Sequence, residues 1–149
     1  MAAPRSREQR RADTLRKLGE GGADVWVATA HAGSAHLVPL SYAWHDDCVV
    51  IACEKSSLTA RNIVGSLRVR LGFGPTRDVV MIDAILERCA AVPSLDDDAI
   101  KAYEQQAGWD PRAVGNNVVM WLRPQRVQAW RESNEIEGRT LMQAGNWLA

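Results

Sequence analysis

Two serines and an arginine carry the clearest chemistry in this chain. Ser56 and Ser57 stand ahead of LTARNIVGS, which reads as a short helix with Arg61 about one turn inside it. The first N–H groups of a helix have no partner within it, so a serine turn that opens one forms a corner for an anion. Arg61 adds a planar fork and Ser57 a hydroxyl, a donor set suited to phosphate. The bland alternative is a solvated arginine on a short surface helix.

Other reactive side chains point away from catalysis. His31, His36 and His45 sit at or beside turns and lack the spacing of metal ligands. Asp96, Asp97 and Asp98 read as the acidic opening of a helix rather than a cation cage. Asp83 lies in an apolar run and is expected to reach a turn or an arginine such as Arg77. Cys48, Cys53 and Cys89 form no C-x-x-C pair, so buried thiols in a reducing cytoplasm are expected. Trp26, Trp44, Trp121 and Trp130 fall on strands and are expected in the core or at a contact between copies.

The elements around the serine corner are mostly strands. DVWVAT alternates with period two, HAGSA is a hairpin turn, and HLVPLSYAW follows, with His36, Val38, Leu40, Tyr42 and Trp44 on one face. Pro39 cannot donate to a ladder and marks an edge or a bulge. CVVIAC is a third strand with β-branched residues at its middle. The helix after the corner has Leu58, Ile63 and Leu67 as apolar positions and must lie on the sheet. LRVRLGF alternates cleanly, with Arg68 and Arg70 on its wet face. VVMIDAILERCAAV reads as a strand buried on both sides and closed by Pro93. SLDDDAIKAYEQQAGWD is the clearest helix, ended by Gly108. NNVVMWL and RVQAW read as two strands parted by Arg123-Pro124-Gln125, and the tail is polar with scattered apolar anchors.

Length and composition bound the rest. The 149 residues are 46% hydrophobic with zero formal net charge, enough for one core and without a field that draws nucleic acid or a membrane surface. No apolar run approaches a membrane span. The Arg-rich start lacks the apolar stretch of a secretory signal. Residues 1–22 read as a basic helix and glycine linker that caps a barrel end or a partner subunit, its first residues unanchored. Residues 23–149 read as the domain proper. The β order is hairpin-like, with no parallel β-α-β alternation, so a small antiparallel barrel is expected.

The succession VWVATAHAGSAHLVPLSYAW, VVIACEKSSLTARNI and RVRLGF resembles the pyridoxamine-phosphate-oxidase-like family of flavin- and deazaflavin-binding split barrels. TRDVVMIDA, WLRPQRVQAWRE and GRTLMQAGNWL extend that resemblance over residues 20–149. It implies a mainly β fold with inserted helices: a six-stranded antiparallel split β-barrel acting as a homodimer, with the coenzyme in a groove between copies. Leu37, Val38, Pro39 and Leu40 would then floor the coenzyme ring. Ala52, Cys53, Ser57, Thr59, Arg61 and Asn62 would approach its phosphate or polyol chain, and Thr76 and Arg77 would come from the next hairpin. The implied coenzyme is FMN or the deazaflavin coenzyme F-420, which carries the hydride itself, so no catalytic side chain is assigned. The implied activity is hydride transfer to a small conjugated substrate. A non-catalytic carrier of flavin, deazaflavin or haem is the alternative. The family's pattern departs here in two places. Leu58-Thr59 replaces a basic pair, with Lys55 three residues before Leu58 as a substitute, and Gly33-Ser34-Ala35 replaces Gly-Arg-Pro.

Overall fold

The computed structural model describes residues 1–148. In chain order its helices are α1 (Arg7–Gly19), α2 (Leu58–Ser66) and α3 (Asp97–Ala107). Its strands are β1 (Asp24–His31), β2 (Ser34–Ser41), β3 (Ala43–His45), β4 (Cys48–Glu54), β5 (Arg68–Phe73), β6 (Val79–Ala91), β7 (Asn117–Trp130), β8 (Thr140–Gln143) and β9 (Asn146–Trp147). Every ladder is antiparallel.

The strands form one sheet in the order β2-β1-β5-β6-β7-β4-β3, with β8 and β9 added beyond β7. Its two end strands, β2 and β3, are consecutive in the chain and separated only by Tyr42. The sheet must therefore curl until its ends meet at that residue. No ladder spans this seam among the described residues. Counting β2 and β3 as one bent run leaves the six long strands that the sequence implied. The β8–β9 hairpin raises the count to nine among the described residues.

Alternation decides which side chains fill the curl. Val25 and Val27 of β1, Ile51 of β4, Leu71 of β5, Ile82 of β6 and Met120 and Leu122 of β7 meet inside it, with Leu18, Tyr42, Ile63 and Leu141. A smaller cluster lies outside, where Ile100 and Tyr103 of α3 cover Val50, Ala52, Val119 and Trp121. β4 and the first six residues of β7 are consequently buried on both faces. β6 was expected in that role, but its cover ends after Leu86, and Glu87, Arg88 and Cys89 are exposed. Cys89 is thus a surface thiol, while Cys48 and Cys53 are buried as expected.

β7 corrects a second expectation. It runs unbroken through Pro124 for 14 residues. Its register with β6 shifts between Asp83 and Ala84, which face Arg126 and Pro124, so Gln125 is the extra residue of a bulge. A bulge is where a residue without an N–H costs a ladder least.

The N-terminal segment is anchored rather than loose. Ser6 caps α1 by accepting from Gln9 N–H at 3.1 Å. Glu135, 2% exposed, accepts from Arg5 N at 2.8 Å, Arg5 Nε at 3.0 Å and Arg131 N at 2.8 Å. Arg10, also buried, donates to the Glu135 carbonyl at 2.9 Å. The bonds to its side chain, chiefly those from Arg5, hold the carboxyl of Glu135 at about 2 instead of 4.5 against the opposing cost of burial.

A carboxylate whose folded pKa is depressed contributes fully above its ordinary value and loses that contribution as pH falls through the folded one. Glu135→Gln is therefore expected to destabilise the fold by about 2–3 kcal/mol at neutral pH. It should also flatten the loss of stability of the wild type between pH 4.5 and about 2, measured by urea unfolding across that range.

Candidate functional site

β4 hands the chain to α2 through a tight turn in which Ser57 N donates to the Glu54 carbonyl at 3.0 Å. Ser57 Oγ accepts from Ala60 N at 3.1 Å and its carbonyl accepts from Arg61 N at 3.0 Å. Ser57, not Ser56, is thus the cap. The Leu58 and Thr59 N–H groups remain as the open donors of the first turn. Glu54 fixes the other side of the turn by accepting from Asn116 N at 2.9 Å. Gly115 must be glycine there: its φ is +69°, and a Cβ would meet Glu54 Oε2 at 2.6 Å.

A polar chain anchors α2 to the sheet. His36 Nε2 lies 3.2 Å from Thr59 Oγ1, and Asn62 Nδ2 donates to Thr29 Oγ1 at 3.1 Å. Thr29, Thr59 and Asn62 are all buried. His36 is thus a strand residue facing the helix, where a loop histidine was expected; its place on the Val38–Leu40 face was the available signal. Ile63 and Ala60 make the apolar contact of α2 with the core, whereas Leu58 and Leu67 are exposed. Leu67 is the helix C-cap, at φ +61°, with its N–H on the Ile63 carbonyl.

The predicted site residues divide by position. Leu37, Val38, Pro39 and Leu40 lie on β2, paired with β1 on one side and at the end of the sheet path on the other. Leu37 and Pro39 are exposed, while Val38 and Leu40 pack against the core. Ala52 and Cys53 are buried neighbours on β4, on opposite faces. Burial pushes the Cys53 thiol above its ordinary value, against a thiolate role. Arg61 is exposed and has no side-chain partner among the described residues.

Thr76 and Arg77 stand apart from the others. They occupy the β5–β6 turn, next to Val79, which faces Trp130. Ser57 follows β4, whose Cys53 faces Val118 at the opposite end of the β6–β7 ladder. One chain therefore does not bring them to Ser57. Arg77 pairs with Glu132 at 3.6 Å. Asp83 reaches an arginine as expected, but the partner is Arg70, at 2.6 Å, and not Arg77. A groove of about 620 Å³ on the outer face of β1, β5 and β6 is lined by none of the predicted residues.

No protein-family model matches the chain, and no curated protein matches its sequence. Solved structures match its fold. An F-420 reductase is 16% identical, with 75% of this chain and 94% of that chain covered and a TM-score of 0.62. A heme binding protein from Mycobacterium smegmatis is 16% identical with a TM-score of 0.64; the match covers 97% of this chain but only 60% of that one. A FAD-binding protein from Mesorhizobium loti is 17% identical over 78% of this chain and 89% of the other, with a TM-score of 0.53. At such identities the likeness carries the fold alone. The chain shares the antiparallel split-barrel fold of these structures.

The α2 N-terminus thus gathers two N–H groups without an intrahelical partner, the exposed Arg61 on the same helix, and the Thr59 hydroxyl and His36 ring, which bond to each other. The two flanking side chains have different duties. Asn62→Ala leaves the buried Thr29 hydroxyl without its donor and is expected to cost about 1–2 kcal/mol of stability. Arg61→Ala should change stability by less than about 0.5 kcal/mol. Thermal or urea unfolding of the two variants checks both values.

Proposed function

We propose that this chain is a coenzyme-binding split barrel. It transfers hydride between a flavin-type coenzyme, FMN or deazaflavin F-420, and a small conjugated substrate. The observation that carries the reading is the open first turn of α2, with Arg61 on it and His36 and Thr59 in contact beneath it, next to the outer edge of β2, which is unpaired among the described residues. The bound coenzyme would supply the hydride chemistry. The chain's own part is to hold it. The Leu58 and Thr59 N–H groups and Arg61 take the phosphate, and the free main-chain groups of β2 meet the polar edge of the ring. Ser57 keeps the turn in shape through its bond to Ala60.

A second copy is part of this reading. Trp26 is 51% exposed and Leu37 60% exposed. Trp26 faces Pro39 across the β1–β2 ladder, and Leu37 faces Ala28, so these side chains share the outer face. Large apolar groups gathered on one face support burial against a partner. Pairing of two copies would also offer Thr76 and Arg77 a route to a coenzyme bound by the other copy. A non-catalytic carrier of flavin, deazaflavin or haem is the second reading. It is favoured by the single cation, Arg61, where the resemblance implies a basic pair.

Titration of purified protein with FMN and with coenzyme F-420, followed by fluorescence, is the test. One of them is expected to saturate, and Arg61→Ala should weaken it roughly tenfold or more. An affinity untouched by that change would remove Arg61 from the site. Turnover with an added acceptor separates enzyme from carrier. Trp26→Glu is expected to convert a dimer into a monomer by light scattering; an unaltered mass would move the contact elsewhere.

A further inference from the structure

The outer groove has a charge pattern of its own. Its lining includes Ala28 and Ala30 of β1, Arg68 and Arg70 of β5, Ile85 of β6 and Ser66 at the end of α2. Its volume, about 620 Å³, is within the roughly 300–1,000 Å³ of small-molecule sites. The ladder explains its shape. Ala28 stands opposite Arg70, Arg70 opposite Asp83, and Asp83 opposite Arg126, forming one row across the outer face. Arg68 stands opposite Ile85 in the next row. The short side chains of β1 leave a trough beside the tall ones of β5.

The charges in and beside that trough do not cancel. Asp83 accepts from Arg70 Nε at 2.6 Å and from Nη2 at 3.3 Å. Arg126 Nη1 lies 3.9 Å from the same carboxylate, and its Nε is buried without a hydrogen-bond partner. Arg68 has no side-chain hydrogen bond or ion pair among the described residues. Two guanidinium groups, those of Arg70 and Arg126, thus share one carboxylate, and Arg68 has none. Asp83 holds Arg70 in place, whereas Arg68 is left to bind. An apolar wall beside these cations excludes part of the water that would screen them, which strengthens their pull on an anion.

We propose that this groove binds a small organic anion. Its flat apolar body lies against Ala28, Ala30 and Ile85, and its carboxylate, sulfonate or phosphate head lies on Arg68. The inference stands on the groove and does not depend on a coenzyme at α2. The probe is naphthoate, titrated by calorimetry against wild type, Arg68→Gln, Ala30→Leu and Arg61→Ala, with naphthylmethanol and inorganic phosphate as controls. Arg68 and Ala30 are exposed, so both groove variants are expected to fold. Naphthoate should saturate one site. Arg68→Gln and Ala30→Leu should each weaken it about tenfold or more, and Arg61→Ala should leave it unchanged. Both controls should bind at least about tenfold more weakly than naphthoate, since each lacks one half of the recognition. The proposal is overturned by the absence of saturable naphthoate binding, by equal affinity in Arg68→Gln, or by a loss in Arg61→Ala instead. Coenzyme binding that persists when naphthoate fails would sink the groove and leave the α2 reading standing.

Discussion

Tyr42 turns the chain between the two ends of the sheet, and the rest of the barrel depends on that turn. Its hydroxyl donates toward the carbonyls of Leu18 and Lys17 at 3.2 and 3.3 Å. Its ring meets Phe73 edge-on at 5.2 Å. The residue that joins β2 to β3 is therefore fixed from α1 on one side and from β5 on the other. α3 reinforces the same joint: Trp44 N donates to Gln106 Oε1 at 2.7 Å, while Gln106 Nε2 donates to the Leu18 carbonyl at 2.8 Å. Because the two ends of the sheet are joined by the chain and not by a ladder, the outer edge of β2 pairs with no strand among the described residues.

That free edge and the position of α2 belong together. α2 is too short to stand alone and is held by Ile63 in the core and by the Asn62–Thr29 bond to β1. Its first turn consequently opens beside His36 of β2. Its last turn reaches the outer groove through Ser66. One nine-residue helix thus lies between the open N–H groups of its own first turn and the arginine-lined outer groove. The first gains its field from backbone dipoles, the second from side chains with too few counter-charges.

Local chemistry was legible wherever a residue's role depends on its neighbours in the chain. The alternation of β1 and β5, the Asp96 cap and Gly108 stop of α3, the hairpin at Gly33 and the serine cap of α2 all follow from spacing and turn preference. So did the antiparallel sense of the ladders and the absence of β-α-β units, whereas the hairpin order expected from the chain gave way to the β1–β5 and β4–β7 pairings.

What tertiary structure alone decided depends on which elements lie over which. The placement of α3 covered β4 and the start of β7, and not β6, on both faces, because an apolar run cannot announce which neighbour will shield it. Pro124 was absorbed by a bulge that exists only against β6. Glu135 became buried because the distant Arg5 and Arg10 reach it, which no local pattern encodes. Asp83 chose Arg70 across a ladder over Arg77 in the nearby turn. Sequence by itself determined the strand and helix signals and the chemical types at the candidate corner, since those depend on side chains a few residues apart. The seam at Tyr42, the contact of His36 with α2 and the arginine-lined trough arose only from folding, because register and curl bring together residues the chain keeps far apart.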